Sequence, residues 1–160
     1  MPTNYKHIDL SYLESISDGN HEIVRELIEI FLDQIPEFTL GMTRCFETKD
    51  WKGLAALAHK AKSSVLSMGM NHLGEVELKN LELLSKQQLL NRLEGEDSAQ
   101  AKQEFEKISK NLTNYGPERL EWIHKNNTPE TIEGIIKTFI LQCENASLEL
   151  KNELIKLASL

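Results

Sequence analysis

The chain has 160 residues, 40% of them hydrophobic and 27% charged, with a formal net charge of -7. That length and balance fit a single domain over residues 1–160 with a buried core, and exclude a compositionally disordered chain. The acidic charge argues against nucleic acid as a partner, because phosphate backbones need a cationic surface, and no apolar run nears the roughly 18 residues of a spanning helix, so no membrane is expected.

Prolines number only four and glycines eight, while Leu, Glu and Lys dominate, which favours helix over sheet. The start MPTNYKHIDLSYLE lacks the charged-then-apolar pattern of a secretory signal, so a soluble, cytoplasmic monomer is the expectation. Asp9 and Ser11 are placed to cap a short helix, with Ser11-x-x-Glu14 in capping-box form and Leu10, Leu13 and Ile16 as its apolar side. Asp18-Gly19 reads as a turn and Asn20 as the next N-cap. The second helix runs from about His21 toward Phe46, with Ile23, Leu27, Ile30 and Phe31 at helical spacing. Pro36 should kink or interrupt it, with Phe38, Met42 and Phe46 continuing the stripe.

Asp50 is a plausible N-cap for a third helix from about Trp51 to Met68, and Gly69 fits the left-handed position past its end. Asn71 can cap a fourth helix carrying Leu73, Val76, Leu81 and Leu84. Leu89, Leu90 and Leu93 extend it, and residues 94–97 read as a loop. Ser98 can cap a helix bearing Ala101, Phe105, Ile108 and Leu112, and Gly116-Pro117 breaks it before one or two turns over Glu118 to His124. Thr128, Pro129 and Glu130 make a strong start signal for a final helix. Ile132, Ile135, Ile136, Phe139, Cys143, Ala146, Leu150, Leu154 and Leu157 hold its period over a span of roughly 45 Å. The reading is all-α, with antiparallel helices burying one stripe each.

The third helix carries the candidate chemistry. At about 100° per residue, Leu57, Ala58, Ala61, Val65 and Met68 fall within roughly 60° of Leu54, with Trp51 at the edge. His59 falls about 140° away, on the exposed side, sharing its face with Lys52, Ala56 and Ser63 and flanked by Ala55, Lys62 and Leu66. Small neighbours leave the ring approachable, and Lys62 at i+3 reaches the same surface. A neutral imidazole is a competent nucleophile near pH 7. A lysine ammonium at about 4 Å would offset a phosphoryl charge on it by about 1 kcal/mol in water and about 4 at surface-like dielectric. By itself, however, a surface histidine beside lysines is common and marks no function.

In this frame the segment AHKAKSSVLSMG resembles the histidine-containing phosphotransfer (HPt) domain family. The family pattern is a His, a Lys three residues on, a small residue next (usually Gly), and a Gly some ten residues after the His. These map to His59, Lys62, Ser63 and Gly69. IDLSYLESISDGN and IVRELIEIFLDQIPEF look like the family's first helix, turn and second helix, and the segment from Asp50 to Glu82 like its third and fourth. The resemblance covers about residues 8–85 well and the final helix, 128–159, more loosely. Ser63 stands where Gly is most frequent, Leu66 where a smaller residue is, and residues 86–127 exceed the usual connection.

The resemblance implies an antiparallel four-helix bundle with a short N-terminal capping helix, and residues 86–127, which depart from it, would be a helical insertion or extended connection. It implies a phosphorelay carrier rather than an enzyme. His59 would accept a phosphoryl group from a receiver-domain aspartyl phosphate and pass it to another receiver. Lys62 and Ser63 would stabilise the phosphoryl oxygens. Lys52, Ala55, Ala56 and Leu66 would form a docking patch, to which the first helix would add Leu13 or Ile16. Partners would be response-regulator receiver domains and a hybrid sensor kinase. No cofactor is expected on this chain, and magnesium would sit on the receiver.

Other features read as structural. Cys45 and Cys143 form no CxxC or Cys/His cluster and are expected to be buried. His7, His21, His72 and His124 lack a comparable frame, Trp51 reads as a core or edge residue, and the acidic clusters read as solvated surface without calcium-loop spacing. Two competing readings stand beside the carrier: a bundle of the same fold used as an adaptor, and a metal-dependent bundle enzyme. The second has only Glu121-x-x-His124 in its favour, where di-iron bundles need two such pairs.

Overall fold

The computed structural model describes residues 5–160; residues 1–4, the start of the segment tested for a secretory signal, lie outside the described residues. Among these it is all-α, with seven helices and no strand. They are α1 (Ser11–Ile16), α2 (His21–Thr48), α3 (Trp51–Ser67), α4 (Lys79–Leu93), α5 (Ala99–Thr113), α6 (Pro117–Asn126) and α7 (Pro129–Ala158). A π-helical turn, Leu73–Leu78, leads into α4. No described helix is long and apolar enough to cross a membrane.

Most starts follow local chemistry. Asn20 Oδ1 accepts from the N–H groups of Glu22 and Ile23 at 3.0 and 3.3 Å. Asp50 Oδ1 accepts from Gly53 N–H at 2.9 Å, Ser98 Oγ from Ala101 N–H at 3.1 Å, and Thr128 Oγ1 from Thr131 N–H at 3.1 Å. The Ser11 capping box does not form: Ser11 Oγ instead donates to Asp9 Oδ1 at 2.6 Å, which also accepts Ser11 N–H at 3.0 Å. That leaves the hydroxyl committed outside the helix.

Helix α2 runs unbroken through Pro36. The ring removes one donor, and the buried Phe31 and Phe38 on either side hold the segment against the core. The buried stripe of α2 is Val24, Ile28, Phe31, Phe38 and Met42, whereas Ile23 and Ile30 are exposed. Two apolar rows one residue apart both satisfy helical spacing here, and packing selects the one continuous with Phe38. Helix α3 buries Trp51, Leu54, Ala58, Ala61 and Val65. Each fully buried Leu or Val contributes about 1.5–3 kcal/mol.

Gly69, at φ +76°, ends the α3 segment in the left-handed region. A Cβ there would also collide with the Asp9 backbone. The close approach lets Asp9 N–H donate to Met68 carbonyl at 2.9 Å.

Helix α3 packs against α2 and α4, and α7 packs against α2, α4 and the π turn. Phe38 and Phe139 meet edge to face at 6.5 Å between centroids, joining α2 to α7. Helix α6 is a full ten residues, longer than the one or two turns expected, and α5 and α6 both rest on α4. Cys143 is buried as expected, while Cys45 is only partly so.

Candidate functional site

His59 stands on the outer side of α3 with its side chain 75% exposed. Its Nδ1 lies 3.2 Å from Oε1 of Glu82 on α4, whose side chain is only 5% exposed. The π turn makes this contact. Extrapolated as an α-helix from Leu73, Glu82 would face about 180° away from the core. A π turn carries extra chain and rotates the succeeding residues by about 100°. Leu78, Leu81 and Leu84 then point into the core, and Glu82 turns under His59. Gly74 lets this turn lie close against α3, because a Cβ there would press on the Leu66 side chain at 2.8 Å.

Burial alone would push the Glu82 carboxyl up. The hydrogen bond and charge of Lys86 outweigh it, together with the His59 contact and the Lys79 charge, and hold Glu82 below the ordinary value of 4.5. Lys86 Nζ sits 2.9 Å from Oε2, and Lys79 Nζ 4.0 Å from Oε1. At neutral pH Glu82 is therefore ionised and can only accept. Nδ1 of His59 must carry the proton, and a neutral ring then has its lone pair on Nε2. Among the described residues nothing bonds to Nε2.

Around the histidine the expected site divides. Lys52, Ala55, Ala56 and His59 line a groove of about 1040 Å³ whose floor includes Glu82 and Lys86 and whose far wall is α5. Lys62, Ser63 and Leu66 lie outside it. Lys62 is half-exposed and has no ion-pair or hydrogen-bond partner among the described residues, so its ammonium is available. Ser63 is exposed.

Of the four residues expected to form a docking patch, Ala55 and Leu66 offer little surface, and Lys52 is exposed as expected but already engaged. Ala55 is 7% exposed, because it packs at the base of the groove, and offers a partner little surface. Lys52 is already paired with Glu104 of α5 at 2.9 Å. Leu66 is half-buried, leaning over Gly74. Ala56 is exposed as expected, and on α1 Ile16 is 54% exposed whereas Leu13 is buried.

Glu82, Lys79 and Lys86 were not legible as site residues. Their mutual spacing was visible, as Lys79-x-x-Glu82 and Glu82-x-x-x-Lys86, which are ordinary helical ion-pair spacings. The face they occupy was not, since it depends on the π turn.

No group of three or more His, Cys, Asp or Glu side chains among the described residues is placed to hold a metal ion. No family model, curated protein or solved structure matches the chain.

Proposed function

We propose that this chain is a phosphorelay carrier of the HPt kind, with His59 as the phosphoacceptor. One observation carries the reading: an exposed imidazole whose Nδ1 is held by a buried, ionised carboxylate, leaving Nε2 outward. The Nε2 lone pair attacks the phosphorus of a receiver's aspartyl phosphate. The Nε2–P bond forms, the P–O bond to the aspartyl carboxylate breaks, and that carboxylate leaves with the electron pair. The ring keeps its Nδ1 proton, and the cationic ring that results is stabilised by Glu82. Transfer to a second receiver reverses these steps with a new aspartate as nucleophile. Lys62, unpaired at i+3, offsets charge on the phosphoryl oxygens, and Ser63 adds a hydroxyl. Positioning then does most of the work, as is usual for phosphoryl transfer.

The partners are response-regulator receiver domains, with a hybrid sensor kinase upstream, and magnesium arrives with the receiver. The packing cycle of α2, α3, α4 and α7 supports reading the fold as an antiparallel four-helix bundle, with α1 as a cap and α5–α6 as the insertion. Ala56 and Ile16 supply exposed apolar docking surface.

The test is phosphate uptake from a phosphorylated receiver. The wild-type chain should gain an acid-labile, base-stable phosphate, and His59→Gln should gain none. A label that survives in His59→Gln, or a wild type that accepts phosphate from no receiver, sinks the reading and leaves the adaptor.

A further inference from the structure

The insertion between α4 and α7 lies close to His59, yet supplies no group that touches it. It does hold both cations that face Glu82. Lys86 Nζ, 2.9 Å from Glu82 Oε2, also donates to Oδ1 of Asn111 on α5 at 2.9 Å. Lys79 Nζ, 4.0 Å from Glu82 Oε1, also donates to the hydroxyl of Tyr115, in the turn after α5, and sits 4.7 Å from that ring's centroid. Glu82 Oε1 is the oxygen that meets His59. Each lysine side chain is 22% exposed.

We infer that Asn111 and Tyr115 are positioning residues for His59, acting through Lys86 and Lys79 on the Glu82 carboxylate. The inference rests on His59 being the phosphoacceptor. A lysine has a long flexible stem, and an ammonium tied at one point only samples many positions. Tied at a second point by the insertion, each ammonium stays beside the carboxylate. Glu82, its side chain only 5% exposed, then remains ionised and fixed, and it demands a proton on His59 Nδ1.

Without the insertion's acceptors the lysines would swing toward solvent. Glu82 would lose charge compensation and either turn outward or take up a proton. In both cases the demand for Nδ1–H disappears, and the ring relaxes toward the Nε2–H form that free imidazole side chains prefer. That form has no lone pair at the outward nitrogen. The insertion is thus part of how the nucleophile is made ready, beyond any role in docking.

The experiment uses the full chain, uniformly labelled with ¹⁵N, and phosphoramidate, a small donor from which an attacking imidazole displaces ammonia. In Asn111→Leu/Tyr115→Phe the His59 ring nitrogens should shift from the Nδ1–H pattern toward the Nε2–H pattern. Phosphorylation of His59 should slow by about fivefold to tenfold, the size expected when about one net hydrogen bond's worth of positioning is lost. Asn111→Asp, which keeps an acceptor oxygen for Lys86, should retain both the wild-type tautomer and the wild-type rate. If the double variant does not fold, Tyr115→Phe alone should show the same shift in smaller measure, since it keeps the ring beneath Lys79.

An unchanged tautomer and rate in a folded variant would overturn the inference. A wild-type chain that takes no phosphate from any donor would instead overturn the phosphoacceptor reading. The tautomer measurement would then still decide whether the insertion positions His59.

Discussion

Two carboxylates, one on α7 and one on α4, do different work with the same chemistry. Glu149 on α7 accepts three successive backbone N–H groups, from Lys6, His7 and Ile8, at 2.8, 2.8 and 3.1 Å. Glu82 on α4 accepts from side chains only, those of His59 and Lys86, with Lys79 close by. Backbone donors carry a fixed partial charge, so Glu149 is a clamp that fastens the N-terminal segment to the C-terminal half of the last helix. The donors at Glu82 include a ring that, on the proposed function, changes charge when it is phosphorylated. A carboxylate with such partners is responsive, and one bonded to backbone is not.

The contrast is sharpest at Glu82 itself. Glu82→Gln keeps the shape and removes the charge, and should slow phosphorylation of His59 by about tenfold or more, as loss of an orienting carboxylate commonly does. The same change should cost about 1.5–3 kcal/mol in urea unfolding, because Lys86 loses its charged partner. A Glu82→Gln chain with the wild-type rate would make Glu82 merely structural, like Glu149.

On the clamp side, Gly69→Ala should destabilise by about 2–3 kcal/mol, through left-handed backbone strain and the collision with Asp9. Denaturant midpoints read this directly. Glu149→Ala should cost about 1–2 kcal/mol, and the phosphorylation rate should not move. A slowed rate there would join two regions that the geometry separates.

The smallest effect is in pH. The folded-state pKa of Glu82 is lowered from 4.5, so the unfolded state binds the proton first. Its stabilisation is present above that ordinary value and is lost as pH falls through the depressed one. Stability measured between neutral pH and acid should fall less steeply in Glu82→Gln than in wild type.

The limits of what could be read from the chain have the same physical origin. The face of α3 was legible because Leu54, Ala58, Ala61 and Val65 repeat at one unbroken period, which put His59 outside. In α2 two apolar rows competed, and only the packing partners chose between Ile23 and Val24. Ahead of α4 the period itself changes at the π turn, so Val76 came out exposed and Glu82 came out buried. The insertion was read as helices from Ser98 and Gly116-Pro117, but no local signal tells where such helices dock. Its contacts with Lys52, Lys79 and Lys86 are long-range facts.

The two cysteines give the fold a built-in clock. Burial, with the Glu144 charge beside it, pushes the Cys143 thiol up to about 12, so at neutral pH it is almost wholly protonated and out of reach. A thiol reagent can modify it only when α7 lifts away from the core. Cys45, partly buried, needs a smaller opening. In one labelling experiment the slower of the two sites should therefore time the separation of α7, and the faster one local breathing at the end of α2.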